Sequence, residues 1–200
     1  MKSPTAWALA LILALCPTIA SFAQEGSAAT LGVQTYEKGD QLISLGAGTT
    51  IPLFTFGGDA AATDPKLYTG GSFSVGYQYF LTHGLAIGGT LSTSFNKTYG
   101  GRDFLMAPLS IRTAYWWSLK DFDLAASMEF GVYFSKVSTE TTSGPFAKAG
   151  GGIYWRINNN WSLGLQTYYW FVPEIHTGDY VDLTRFGNIL EAGVLAAFHL

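Results

Sequence analysis

From Asp40 to the C-terminus, apolar positions recur with a period of two, and turn-forming residues interrupt the pattern about every ten to fifteen positions. Eight segments carry it: 41–54, 67–81, 85–96, 104–117, 122–135, 146–157, 161–172 and 185–200. Over 122–135, for example, Phe122, Leu124, Ala126, Met128, Phe130, Val132 and Phe134 alternate with Asp123, Ser127, Glu129, Gly131 and Tyr133. A strand turns successive side chains to opposite faces, so each segment predicts a strand with one apolar face and one face of small or polar residues. Two positions strain the pattern. Asn188 falls on the apolar face, which predicts a bulge or a place near a rim. Pro108 lies inside a strand and cannot donate to the ladder, which predicts a local bulge.

The connections alternate in length. Those at 82–84, 118–121 and 158–160 are short, whereas those at 55–66, 97–103, 136–145 and 173–184 are longer and polar. Short turns at one end and longer loops at the other, around an even number of strands, predict an all-β fold: an antiparallel eight-stranded up-and-down barrel over 40–200. Residues 24–39 form a polar lead-in of low information.

Alternation alone does not say which face is out, since a soluble barrel encloses its apolar face. Three features decide for a transmembrane barrel. The polar face is mostly Gly, Ser, Ala and Thr, which suits a narrow interior better than a solvated surface. Aromatic residues of the apolar face gather near strand ends, with Tyr79, Tyr115, Trp117, Trp155 and Trp161 by the short turns, and Phe95, Phe134, Tyr169, Phe171 and Phe186 towards the long loops. Two such belts fit two membrane interfaces. The strand charges Arg112, Asp123, Glu129, Lys148, Arg156, Arg185 and Glu191 all share the small-residue face, where they avoid lipid.

Composition narrows the classes further. Of 200 residues only 12% are charged, against roughly 25% in an average soluble domain. Aromatics reach 16%, there are 24 glycines, and the net charge is -3. The apolar content excludes a disordered chain. The absence of a basic excess argues against a nucleic-acid partner. The single cysteine, Cys16, excludes a disulfide scaffold. Beyond residue 23, no apolar run approaches the roughly 20 residues a membrane-spanning helix needs. Residues 1–23 read as a cleaved secretory signal: Lys2 forms the positive region, Ala6 to Leu15 the apolar region, and Ser21-Phe22-Ala23 the cleavage site. The rival is a lipoprotein modified at Cys16, but a lipobox wants a small residue where Leu15 stands.

The hairpin from Val75-Gly76-Tyr77-Gln78-Tyr79-Phe80-Leu81 to Gly84-Leu85-Ala86-Ile87-Gly88-Gly89, together with the final strand, resembles the small outer-membrane β-barrel family of Gram-negative and spirochaetal bacteria, with its OmpA-like and OmpW-like members. Glu191, Gly193, Ala196 and Phe198 fit that family's C-terminal signal, while His199-Leu200 departs from its terminal aromatic. The resemblance implies an outer-membrane location, insertion by the barrel-assembly machinery through the C-terminal strand, and contact with membrane lipids. Its OmpW-like branch implies a channel for hydrophobic or small solutes.

The candidate chemistry lies on the inner face. Arg112, Glu129, Lys148, Arg156 and Glu191 line the lumen, either as a salt-bridge plug or as the lining of a narrow gated pore. Eight strands leave an interior just wide enough to fill with side chains, which favours the plug. Tyr68, Tyr133, Phe146, Tyr168 and Trp170 point inward at the loop end, as packing or as a vestibule for an apolar solute. Tyr79, Trp117, Trp155, Trp161, Phe95, Phe134 and Phe171 are the membrane-interface candidates. His83 caps a turn, His176 has Glu174 and Asp179 nearby without a ligand set, and His199 is a rim side chain facing the interior. No metal, cofactor or enzyme activity is expected, since no Ser, His and carboxylate set gathers at one rim. Two functions stay open: a small OmpW-like channel, and a structural or surface-interaction protein with a plugged lumen.

Overall fold

The computed structural model describes residues 35–57, 60–138, 140–176 and 184–200. The secretory signal at 1–23, Cys16, most of the lead-in and Asp179 lie outside the described residues. The described elements are all strands: β1 (Gln41–Gly57), β2 (Ala60–Thr63), β3 (Gly70–Phe80), β4 (Leu85–Lys97), β5 (Asp103–Leu119), β6 (Phe122–Val137), β7 (Glu140–Arg156), β8 (Trp161–Glu174) and β9 (Arg185–His199). Every pairing is antiparallel between sheet neighbours, and β1 also pairs with β9, so β1 and β3–β9 close an eight-stranded barrel. The short β2 pairs only with the far end of β1 and stands outside the closed wall.

The predicted faces hold. Outward-facing Ile43, Phe73, Leu91, Ile111, Phe130 and Leu165 are exposed, whereas inward Ser44, Ser74, Ser92, Ser110 and Ser127 are buried. The protein is therefore inverted relative to a soluble one, with apolar side chains outside and polar groups within, as a transmembrane barrel requires. Glycines on the inner face make room for large inward rings. At Gly164 a Cβ would run into the Tyr154 ring, and at Gly150 into the backbone at Thr167 and the Tyr168 ring.

Three expectations change. The segment 136–145 is not a long loop: β6 and β7 continue to Val137 and Glu140, which pair directly across a tight turn with Ser138 at positive φ. The hydroxyl-rich stretch Thr141-Thr142-Ser143 reads as a loop by polarity but pairs residue for residue with β6. Pro108 produces no bulge. The β5–β6 register runs through it unbroken, and the β4–β5 ladder drops its pairs between Leu91↔Leu109 and Ser94↔Met106 without shifting register. The missing N–H thus costs ladder contacts rather than alignment. At Asn188 the bulge lies in the partner strand. Pro52 pairs with Ile189 and Phe54 with Asn188, leaving Leu53 as the extra residue of β1. The Asn188 amide turns into this gap, donating to the Phe54 and Phe186 carbonyls and accepting from the Tyr169 hydroxyl.

The lead-in also carries structure. Tyr36 is buried in the turn end of the barrel, its ring 4.4 Å from that of Phe80 and nearly parallel to it, with Trp116 at 5.4 Å. The backbone is fixed there by Gly39 N–H to the Phe80 carbonyl and Gly84 N–H to the Tyr36 carbonyl.

Candidate functional site: a stratified lumen

Four layers fill the barrel axis. At the turn end, Tyr36, Leu42, Phe80, Trp116, Tyr154 and Leu195 form an apolar cluster. The Trp116 indole N–H donates to Gln78 Oε1 at 3.1 Å. Below this cluster Arg156 grips Asp123 with both nitrogens of one edge, Nε to Oδ2 and a terminal nitrogen to Oδ1, each 2.7 Å, and it also reaches Ser118 Oγ. Tyr36 completes the group, its hydroxyl donating to Asp123 Oδ2 at 2.9 Å while the Arg156 guanidinium lies over its ring. Burial, and then the Asp123 charge, push the Tyr36 phenol well above its ordinary pKa.

The second layer is a belt of charge. Arg112, Glu129 and Lys148 are direct cross-strand partners on β5, β6 and β7, and all three are buried. Glu129 Oε1 stands 3.7 Å from both Arg112 Nε and Lys148 Nζ. Lys148 Nζ is 3.0 Å from Glu191 Oε2 and lies over the Tyr168 and Trp170 rings. Hydroxyl and indole groups supply hydrogen bonds, while Arg112 Nε and Glu129 Oε1 face each other without one. Ser110 donates to Glu129 Oε2, Ser72 to Glu191 Oε1 and Trp170 Nε1 to Glu191 Oε2, while Arg112 donates to Ser127 Oγ and the Tyr168 hydroxyl. Two cations thus face two carboxylates. Ions so far from water persist only where partners offset their lost hydration.

The third layer is a loop-end cluster of Met106, Tyr133, Phe146, Tyr168, Trp170 and Ile189, with Phe146 edge-on to Trp170 at 5.3 Å. Above it opens the fourth, a vestibule of about 360 Å³. Its floor and walls include Met106, Tyr133, Ile189, Phe104 and Val172, and its mouth carries Glu140, Glu174 and Arg185.

The inner-face candidates therefore divide. Arg112, Glu129, Lys148 and Glu191 form one network. Arg156 belongs to a separate lock with Asp123 and Tyr36. Of the vestibule candidates, Tyr133 lines the cavity, whereas Tyr168 and Trp170 lie beneath it in the packed cluster. Tyr68 is not inward at all. It precedes the first residue of β3, is exposed, and packs on Tyr99 at 4.7 Å outside the barrel. Its inward parity has no meaning beyond the strand end. Arg185, also inward by parity, is exposed at the mouth. Of the membrane-interface candidates, Trp117, Trp155 and Trp161 are exposed near the turns, Phe95 and Phe134 are exposed near the loops, and Tyr79 and Phe171 are half-buried. Phe171 stacks on Phe186, which stacks on Phe56.

Histidines add little chemistry. His83 is exposed, and His176 meets Glu174 at 3.3 Å. His199 Nε2 lies 2.8 Å from Ser162 Oγ, a pairing that the linear sequence does not reveal because it joins β8 to β9. Ser162 is buried, 1% exposed. Among the described residues, no group of three or more His, Cys, Asp or Glu could hold a metal.

Tyr36 and Trp116 are not among the lumen residues expected from the sequence, and Tyr154 is expected on the inner face without a role. Trp116 and Tyr154 share the inward parity of Arg112 and Lys148, so the signal was present; Tyr36 lies before the first strand and carried none.

A protein-family model matches residues 23–198. The chain is 26% identical over 172 residues to an uncharacterized protein of Treponema pallidum (strain Nichols), spanning 76% of this chain and 78% of that one. A second uncharacterized protein of the same strain is 24% identical over 225 aligned residues, spanning 100% and 77%. Among solved structures, Neisserial surface protein A superposes with a TM-score of 0.57 at 11% identity, covering 80% of this chain and 97% of its own. Outer membrane protein OprG from Pseudomonas aeruginosa superposes with a TM-score of 0.55 at 10% identity, covering 84% and 99%. At such identities the likeness is one of fold. The chain belongs to the family whose model spans residues 23–198, and its fold is that of the transmembrane outer-membrane β-barrels.

Proposed function

We propose that the protein is an integral outer-membrane barrel that receives a small hydrophobic solute in its loop-end vestibule, in the manner of an OmpW-like protein, without a water-filled path along its axis. The observation that carries this reading is the cavity of about 360 Å³ with an apolar floor, seated above a lumen filled by rings and ion pairs. A cavity of that size suits a small ligand. A solute taken up there has no exit along the axis, which leaves a lateral one. Pro52, Gly187 and Asn188 line the vestibule at the β1–β9 seam, beside the extra residue Leu53. On this reading the leader at 1–23 directs export, the C-terminal strand engages the barrel-assembly machinery, the outward belts anchor in lipid, and no enzyme activity is involved.

The charge belt itself favours a second reading, a structural or surface-interaction barrel with a plugged lumen. One experiment separates them. The refolded mature chain, with heat-modifiable gel mobility as folding control, is tested for single-channel conductance in a planar bilayer and for saturable binding of an apolar fluorescent probe. A silent barrel that binds the probe, and loses it in a folded Val172→Trp variant that fills the cavity, supports the vestibule. A silent barrel without binding supports the plugged structural reading. Discrete openings overturn the closed lumen.

A further inference from the structure

At the loop end, the outer wall over β4, β5 and β6 carries an open cleft of about 390 Å³ lined by Gly101, Arg102, Asp103, Leu105, Lys136 and Ser138. The register explains its composition. Leu105 pairs with Phe95 on one side and Lys136 on the other, and Lys97 pairs with Asp103. Lys97 and Lys136 share the outward face of Phe95 and Phe134, each two residues further from the barrel middle. Apolar ring and cation therefore follow one another up the same wall: Phe95 then Lys97, and Phe134 then Lys136. Both rings are more than half exposed.

Arg102 and Lys136 line the cleft with one carboxylate among the described lining residues, Asp103, and Lys97 stands beside that carboxylate. The Lys97–Asp103 contact is long, 3.8 Å, with both side chains well exposed, so it neutralises little. The sector is net cationic on a chain of net charge -3. Its floor is Leu105, on the same outward face as the apolar band. A soluble anion has no use for that floor. A lipid does, because its chains lie along Phe95, Leu105 and Phe134 while its phosphate reaches the cations. Lysine stems run along apolar surface with their heads in water, and a guanidinium offers paired donors to phosphate oxygens.

We propose that this cleft is a binding site for the phosphate headgroup of an anionic membrane lipid, with Arg102 and Lys136 as its principal ligands and Lys97 as a flanking cation. The inference rests on the transmembrane fold and is independent of what the vestibule binds.

The test is native mass spectrometry of the refolded mature chain, released from detergent micelles doped with equal amounts of dioleoyl phosphatidic acid and dioleoyl phosphatidylcholine. The wild type retains the phosphatidic acid adduct preferentially. Each juxtamembrane cation contributes roughly a fivefold preference, so Arg102→Gln/Lys136→Gln loses most of it, and Asp103→Asn increases it. Lys120→Gln, at the opposite end, leaves it unchanged. Heat-modifiable mobility confirms that all variants fold, as substitutions at exposed positions should. Equal retention by wild type and the double variant overturns the site, as does an equal loss in Lys120→Gln. Displacement of the lipid by millimolar inorganic phosphate would show a site for free anions and would also overturn it.

Discussion

Glu129 and Lys148 face each other directly across β6 and β7, with Oε1 and Nζ 3.7 Å apart and both side chains buried. Arg112 stands opposite Glu129 on the other flank, so one carboxylate serves two cations. Removing that carboxylate leaves Arg112 without its carboxylate neighbour, and Lys148 with Glu191 alone. Glu129→Gln should therefore destabilise the barrel by about 3–5 kcal/mol, the usual consequence of stripping one partner from a buried ion pair. Urea unfolding in lipid vesicles reads this directly. In a planar bilayer the same variant should show leak that the wild type lacks, since the freed cations recruit water. A change in ion selectivity with unaltered stability would instead mark a working pore.

Tyr36 closes the turn end through two separable contacts, its ring on Phe80 and its hydroxyl on Asp123. Tyr36→Phe removes only the second, a hydrogen bond to a charged group worth about 1.5–3 kcal/mol. Tyr36→Ala removes both and should cost more. The phenol also predicts a pH dependence. Its pKa is raised in the folded protein, while in the unfolded chain it sits near the ordinary value of about 10. Above that pH the unfolded chain binds fewer protons than the folded one. The Tyr36 contribution is therefore complete below about pH 10 and declines as the pH rises further. Unfolding curves from pH 8 to about pH 11 should show the wild type losing its advantage over Tyr36→Phe only at the alkaline end. A constant difference across that range would mean that the hydroxyl–carboxylate contact does not hold Tyr36.

Asn188 mends the wall where β1 bulges at Leu53, its amide donating to the Phe54 carbonyl at 3.3 Å and to the Phe186 carbonyl at 2.9 Å. Asn188→Leu keeps the size and leaves those carbonyls without this donor. Local weakening of about 1–3 kcal/mol should follow. Hydrogen exchange should register it as faster amide exchange at 52–56 and 186–190, with the β5–β6 hairpin unchanged. Uniform acceleration around the barrel would show that the seam is not an independent weak point.

The barrel, its eight strands and their inner and outer faces were legible in the sequence, because period two, short turns and the restriction of charge to one face are local properties of the chain. Asp123, Glu129, Lys148, Arg156 and Glu191 were placed on the inner face by parity alone. Which charge meets which was not legible. Glu129 meets Lys148 because the β6–β7 turn is tight, pairing Val137 with Glu140. The polar run 136–145 reads equally well as a long loop, and each loop length gives a different partner. The same holds across β8 and β9, where Ser162 finds His199.

Parity along a strand thus determined which side chains enter the lumen, for it needs only the alternation of neighbouring residues. Tertiary structure decided the rest: that Arg156 and Asp123 form a lock apart from the central belt, that Tyr36 enters the barrel from outside the strands, that Tyr68 stays out, and that a vestibule lies above a filled lumen. These depend on registers between strands and on closure of β9 against β1, and a register is a relation between distant segments that no single segment contains.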